Sequence, residues 1–300
     1  MYRMLYECHG LTWASELPLP ELAHGSSVAA PDVEITLGLI EQPEEDVWRV
    51  GSAIAGDLDR FWLDVPGVAR FLVEGGRRIV VEPAEGSHPD EVRLYLLGSA
   101  LGAVLYQRGL LVLHGNAFRH GAAVVLAVGH SGAGKSTLAG ELHLRGFDVF
   151  SDDVVAIDAE GFTVPGPPRV KLWQDAADLL GVSVDGLPRV RPQDDKFHMA
   201  IDAPPTQRLP VAAVYVLERH EEHDLELVHV AGTDRLGVLM THTYRAALVD
   251  APGQRRRHLQ RCATLAARSR VVRVLRPAGS YRPAATADAI LADISAHHGA

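Results

Sequence analysis

The sequence predicts an α/β protein in which a small β-rich N-terminal domain, residues 1–88, precedes a larger domain, residues 89–300, built around a phosphate-binding loop. Three observations predict it. Residues 122–128 form a continuous apolar run, as a strand buried on both faces does. The run ends in Gly129-His130-Ser131-Gly132-Ala133-Gly134-Lys135-Ser136, two glycines bracketing four residues ahead of Lys-Ser, and a helical stretch follows. Before residue 88 the apolar residues instead alternate, or sit in short runs parted by turn residues.

Taken in order, Val33, Ile35, Leu37 and Leu39 alternate with polar or small residues and predict a half-buried strand. Strands follow at 61–65, 68–73 and 78–82, the last two joined as a hairpin across Glu74-Gly75-Gly76. Residues 83–89 lose periodicity and gather turn residues, so they read as a linker. Asp90 opens a helix with Leu94, Leu97, Leu101, Val104 and Leu105 at helical spacing, and Gly109 stops it. Residues 110–113 are a buried strand ending in His114-Gly115. Beyond the loop the pattern predicts helices at 135–144, 174–180, 234–240, 254–267 and 286–297, with strands at 149–157, 211–217 and 271–275.

Composition excludes several classes. Lys plus Arg number 29 against 38 Asp plus Glu, a formal charge of −9, the wrong sign for a binder of nucleic-acid backbone. No apolar run approaches the roughly 18 residues of a membrane-spanning helix, and no secretory signal opens the chain, so the expected compartment is the cytoplasm. Cys8 and Cys262, far apart and without metal-ligand spacing, are expected as reduced, buried thiols.

The loop's residue types answer a physical need. Glycines let successive backbone N–H groups turn toward phosphate oxygens, and the following helix adds its positive end. Lys135 would neutralise phosphate charge, and the Ser136 hydroxyl would bind Mg²⁺. One helix later comes Phe150-Ser151-Asp152-Asp153, a carboxylate pair able to divide metal ordering from proton acceptance. Arg169, Lys171, Arg189, Arg191 and Lys196 are candidates for holding the γ-phosphate or an anionic substrate end. Trp173 reads as an anchor of the next helix, and Arg255-Arg256-Arg257 as an exposed helix face.

Leu113-His114-Gly115, the Gly-x-Ser-Gly-x-Gly-Lys-Ser loop and Ser151-Asp152-Asp153-Val154 together resemble the catalytic domain of HPr kinase/phosphorylase, over about residues 110–158. The resemblance implies a fold like that of phosphoenolpyruvate carboxykinase, with Gly129, Gly132, Gly134, Lys135 and Ser136 binding ATP and Mg²⁺. Ser131, Ala133, Thr137, Arg169 and Lys196 complete the candidate cofactor contacts. It also implies Asp153 as the general base on a serine hydroxyl, Asp152 assisting it or joining Ser136 on the metal, and His114 beside the transferred phosphoryl. A homo-oligomer is the assembly it suggests.

Where the full family carries a glycine-rich signature with Glu and Arg, this chain has Val164-Pro165-Gly166-Pro167-Pro168-Arg169-Val170-Lys171-Leu172-Trp173. That departure points away from phosphorolysis and from HPr as substrate. The Pro-Gly-x-Pro-Arg-x-x-Leu-Trp stretch and Arg191-Pro192 through Asp195-Lys196 look like shorter kinase homologues found with lasso-peptide biosynthesis, which phosphorylate a precursor's C-terminal serine. The expectation is an ATP- and Mg²⁺-dependent serine kinase acting on a peptide or protein. An HPr-type protein kinase, a small-molecule kinase and a nucleotide-gated binding module are the alternatives.

Overall fold

A computed structural model of the chain describes residues 3–26, 30–202, 206–221, 224–279 and 281–297, and it is mixed α/β. The N-terminal strands are β1 (Met4–Cys8), β2 (Leu11–Ser15), β3 (Ala23–His24), β4 (Val33–Leu37), β5 (Trp48–Val50), β6 (Ile54–Gly56), β7 (Arg60–Val65), β8 (Ala69–Glu74) and β9 (Arg78–Pro83). They form one sheet in the order β3-β1-β2-β4-β9-β8-β7-β6-β5. The alternation expected from Val33 to Leu39 holds only in its first half: Val33 and Ile35 are fully buried and Glu34 and Thr36 half-buried, but the strand ends at Leu37, and Leu37 and Leu39 are exposed. Gly75 and Gly76 turn the β8–β9 hairpin at positive φ. β1, β2, β3, β5 and β6 had no periodic signal, being strands too short to show an alternation.

The helix expected from Asp90 runs from Pro89 to Gln107, as α1 (Pro89–Tyr95) and α2 (Leu101–Gln107) joined through a π turn at Leu96–Ala100. His88 caps its first turn, and Gly109 ends it at φ +78°. Leu97, Leu101 and Val104 pack against Trp13, Phe71 and Ile79 of the sheet. The same core takes in Val112, Val154 and Tyr244 from further along the chain, so the helix lies between the two halves.

The second sheet holds the loop. Its strands are β10 (Leu111–His120), β11 (Ala123–Val128), β12 (Val149–Ser151), β13 (Val154–Ile157), β14 (Phe162–Thr163), then β17 (Leu209–His220), β18 (Glu226–His229) and β19 (Arg270–Pro277); a separate ribbon pairs β15 (Arg169–Trp173) with β16 (Lys196–Ala200). β11 pairs antiparallel with β10 and parallel with β17, closing β11, β10, β13, β14 and β17 into a ring. Helices α3 (Lys135–Leu144), α4 (Gln174–Leu180), α5 (Asp234–Thr241), α6 (Gln254–Arg268) and α7 (Pro283–His297) complete the chain. Among the described residues no helix is long and apolar enough to cross a membrane. Cys8 and Cys262 are buried thiols, and Arg255, Arg256 and Arg257 lie exposed on α6.

Two expected strands differ in a way that shapes the site. The run at 110–113 extends to His120, because β10 changes partners midway: residues 111–114 pair with β13, and residues 115–120 with β11. The strand expected over 149–157 is broken into β12 and β13 at Asp152-Asp153, where Asp153 has φ +79°. The chain turns out of the sheet at the acidic pair. Gly115 allows the partner change, since a Cβ there would lie 2.6 Å from the Ala127 carbonyl oxygen. Gly115→Ala is therefore expected to lower stability by about 1–3 kcal/mol, read as a reduced urea midpoint with unchanged slope.

Candidate functional site

The loop 129–134 leaves the buried end of β11 and enters α3 through Gly134, which caps the helix at φ +94°. Gly129 cannot carry a side chain, because a Cβ would meet the Leu217 carbonyl oxygen at 2.6 Å. Gly134 supplies no side-chain cap, so the first-turn N–H groups of Lys135, Ser136 and Thr137 have no acceptor within the helix. Those donors, with the helix dipole, make the start of α3 a place for an anion.

The carboxylate pair stands against this helix start. Ser136 Oγ donates to Asp152 Oδ1 (2.9 Å), and the Lys171 backbone N–H donates to Asp152 Oδ2 (2.8 Å). Asp152 is buried, which raises its pKa despite those donors. Asp153 turns the other way. Its Oδ2 accepts from Lys171 Nζ (2.8 Å), and its Oδ1 lies 3.2 Å from His114 Nδ1. Burial alone would raise the Asp153 pKa, but the Lys171 ammonium and the His114 imidazole together hold it well below the usual carboxylate range. The left-handed backbone at Asp153 is what points the two neighbouring carboxylates at different partners.

Lys135 is 7% exposed, and its ammonium donates to the carbonyls of Gly129 (2.8 Å) and His130 (3.1 Å), folding the side chain over its own loop. Burial lowers its pKa, although Asp152 and Asp153 oppose the shift. Asn116 of β10 donates to the Lys135 backbone oxygen, which anchors the helix start to the ring. His114 is set by its neighbour in the chain's second half, since its N–H donates to the His242 carbonyl (2.8 Å).

These groups share one cavity of about 400 Å³, lined by His114, Ser131, Gly132, Gly134, Lys135, Ser136, Thr137, Asp152, Asp153 and Lys196 among others. Gly129 and Ala133 form the floor of the loop behind it, Ala133 being packed against Leu138 and Leu217. Arg169 is not among the lining residues. It is buried on β15 and faces Glu21 of the N-terminal region at 3.8 Å, two residues deeper along the ribbon than Lys171. Arg189 is paired with Asp195 (2.8 Å) and Arg191 with the Tyr95 hydroxyl (3.0 Å), so neither turns to the cavity. Trp173, expected as a helix anchor, is instead 48% exposed at the cavity rim with the Lys196 ammonium 5.3 Å from its ring centre.

Among solved structures, the chain is similar to the Hpr(Ser) kinase/phosphatase from Coxiella burnetii, at 14% identity and a TM-score of 0.32, over 63% of this chain and 93% of that chain. No family model matches the sequence, and no curated protein matches it.

Three cavity residues had no motif to reveal them. Arg219 Nη2 donates to the Gly132 carbonyl (2.5 Å), Arg276 Nε to the Ala133 carbonyl (3.0 Å) and the Tyr281 hydroxyl to the Gly134 carbonyl (3.2 Å). Arg276 also lies over the Tyr281 ring at 4.2 Å. Arg219 and Arg276 face each other across the β17–β19 register, near the C-terminal ends of strands parallel to β11. That end of a parallel sheet is where ligands gather, and it is the one signal that could have found them. Together they hold the three consecutive loop carbonyls of Gly132, Ala133 and Gly134.

The donor set suits Mg²⁺. Ser136 Oγ and Asp152 Oδ1 are adjacent hard oxygens, and this ion is held by one or two such protein ligands together with phosphate oxygens. The pairing of Lys171 with Asp153 carries a pH consequence. Removing a cation that depresses a carboxylate raises its pKa, so Asp153 becomes protonated at higher pH. Lys171→Met is expected to move the acid limb of the pH–rate profile upward by about one pH unit or more. An unmoved limb would mean that Asp153 is not the titrating base.

Proposed function

We propose that the chain is an ATP- and Mg²⁺-dependent kinase that moves the γ-phosphoryl group to a serine hydroxyl of a peptide or protein. The observation that carries this reading is the placement of Asp153, an ionised carboxylate held by Lys171 and His114 beside a glycine-built anion cradle. A site that only bound nucleotide would need the cradle and the Ser136–Asp152 pair. It would have no use for a second carboxylate facing the open cavity.

In this reading the N–H groups of the loop and the first turn of α3 hold the phosphate chain, and Lys135 turns from its own loop carbonyls to the phosphate oxygens. Ser136 and Asp152 are the residues that would hold Mg²⁺, whose chemistry is to neutralise charge on the phosphates. Asp153 accepts the proton of the attacking serine hydroxyl, and its bonds to Lys171 and His114 fix the direction of its lone pairs. Lys171 and Lys196 add positive charge to the cavity lining. The catalytic contribution is positional and electrostatic, since phosphoryl transfer asks little covalent chemistry of the protein.

The acceptor we favour is a peptide ending in serine. What supports a peptide rather than a small molecule is the cavity's open rim, where Trp173 and Leu179 are both about half exposed. The test is intact-mass analysis of acceptors incubated with the chain, ATP and Mg²⁺, using a serine-terminated precursor peptide, an HPr-type protein and a panel of small hydroxyl compounds. A gain of one phosphate on the peptide supports the reading. Gain on a small molecule alone replaces the acceptor, and turnover on none of them with ATP still bound replaces the kinase by a nucleotide-gated module.

A further inference from the structure

We propose that His229, Asp293 and His297 form a Zn²⁺ site, remote from the phosphate cavity, that ties the C-terminal turns of α7 to the end of β18. One ligand atom from each of the three lies within 4.8 Å of the other two. His229 is the last residue of β18, while Asp293 and His297 stand four residues apart on α7 and so share one helix face. Two imidazoles and a carboxylate are a donor set that Zn²⁺ accepts, with the fourth position left to water.

The surroundings hold these groups as outer partners of a metal site do. The Asp293 side chain is only 9% exposed, and the hydroxyl of the buried Tyr215 donates to its Oδ2 (2.6 Å), leaving Oδ1 toward the two histidines. His297 Nδ1 lies 2.8 Å from the Asp293 backbone oxygen. The same Nδ1 lies 3.3 Å from Asp293 Oδ1, so it is the nitrogen that faces the cluster, and an entering ion takes its lone pair in place of the bond to the backbone oxygen. Both imidazoles are about half exposed, which opens a path from solvent.

A cation already uses the same negative potential. Arg270 Nη2 lies 3.0 Å from His229 Nδ1 and 3.3 Å from Asp293 Oδ1. The contact to the carboxylate is long for a charged hydrogen bond, and the guanidinium is partly exposed, so an entering ion displaces it outward. The position gives the ion a structural consequence. α7 packs along α3, and Arg145 at the end of α3 bonds Asp288 of α7 (2.5 Å), so fixing α7 steadies the helix whose start cradles the anion.

The test is isothermal titration of the untagged, chelator-treated chain with ZnCl₂, repeated with Co²⁺ followed by visible absorbance. The expected result is one ion per chain. His229→Gln and His297→Gln each weaken binding by about 10-fold or more, and Arg270→Gln tightens it by removing the competing cation. Thermal melts of the metal-free variants establish that each is folded, which their exposed positions favour. A wild-type chain that binds no stoichiometric Zn²⁺ overturns the proposal, as does binding that survives the double histidine substitution.

Discussion

Asp153→Asn is expected to reduce phosphoryl transfer by about 10²–10⁴-fold while leaving nucleotide affinity nearly unchanged. Asparagine is the informative replacement because it tolerates the left-handed backbone that Asp153 adopts at φ +79°, so the turn between β12 and β13 persists. Alanine there would add backbone strain to the loss of the carboxylate and mix two effects. The amide still bonds Lys171 or His114 but accepts no proton at neutral pH. Single-turnover measurement of transfer, beside equilibrium binding of the nucleotide, separates the two steps. Undiminished transfer would remove Asp153 from the role of base and turn attention to Asp152, its neighbour in the cavity.

Lys135→Ala is expected to produce a different pattern, losing about 10²–10³-fold in transfer together with a clear loss of nucleotide affinity. The side chain is 7% exposed and its ammonium bonds two loop carbonyls, so its removal takes one donor from each of Gly129 and His130 and leaves the phosphates without that countercharge. Arginine is not a conservative substitute, since a planar guanidinium does not fit the dry slot of a folded-back ammonium. Isothermal titration with ATP and Mg²⁺ and a thermal melt distinguish lost affinity from a collapsed loop. Were Lys135→Ala to keep full affinity, the cradle would owe its binding to backbone N–H groups alone.

The motifs were legible because their chemistry is local. Eight consecutive residues make the loop, and every glycine in it answers a constraint visible within that span or one strand away. The helices over 135–144 and 174–180 were legible for the same reason, as their apolar spacing and stops lie within a few turns. The ribbon of β15 and β16 was not, because its strands carry Arg169, Lys171 and Lys196 and read as polar loop until paired. Arg169 illustrates the limit. As basic residues in an apparent loop, Arg169 and Lys171 were both candidates for the anion, yet only contact with Glu21, nearly 150 positions earlier, decides which way Arg169 turns.

The sequence by itself determined the α/β class, the loop, the carboxylate pair and the helices, since propensity, periodicity and close-range sterics act over a few residues. Tertiary structure decided the rest. It split the strand at Asp152-Asp153, set Lys171 and His114 on either side of Asp153, and brought Arg219, Arg276 and Tyr281 to brace a loop 87 to 147 positions away. Those contacts depend on which strands become neighbours in a closed ring, and that is fixed by burial of the whole core, which no local stretch of sequence encodes.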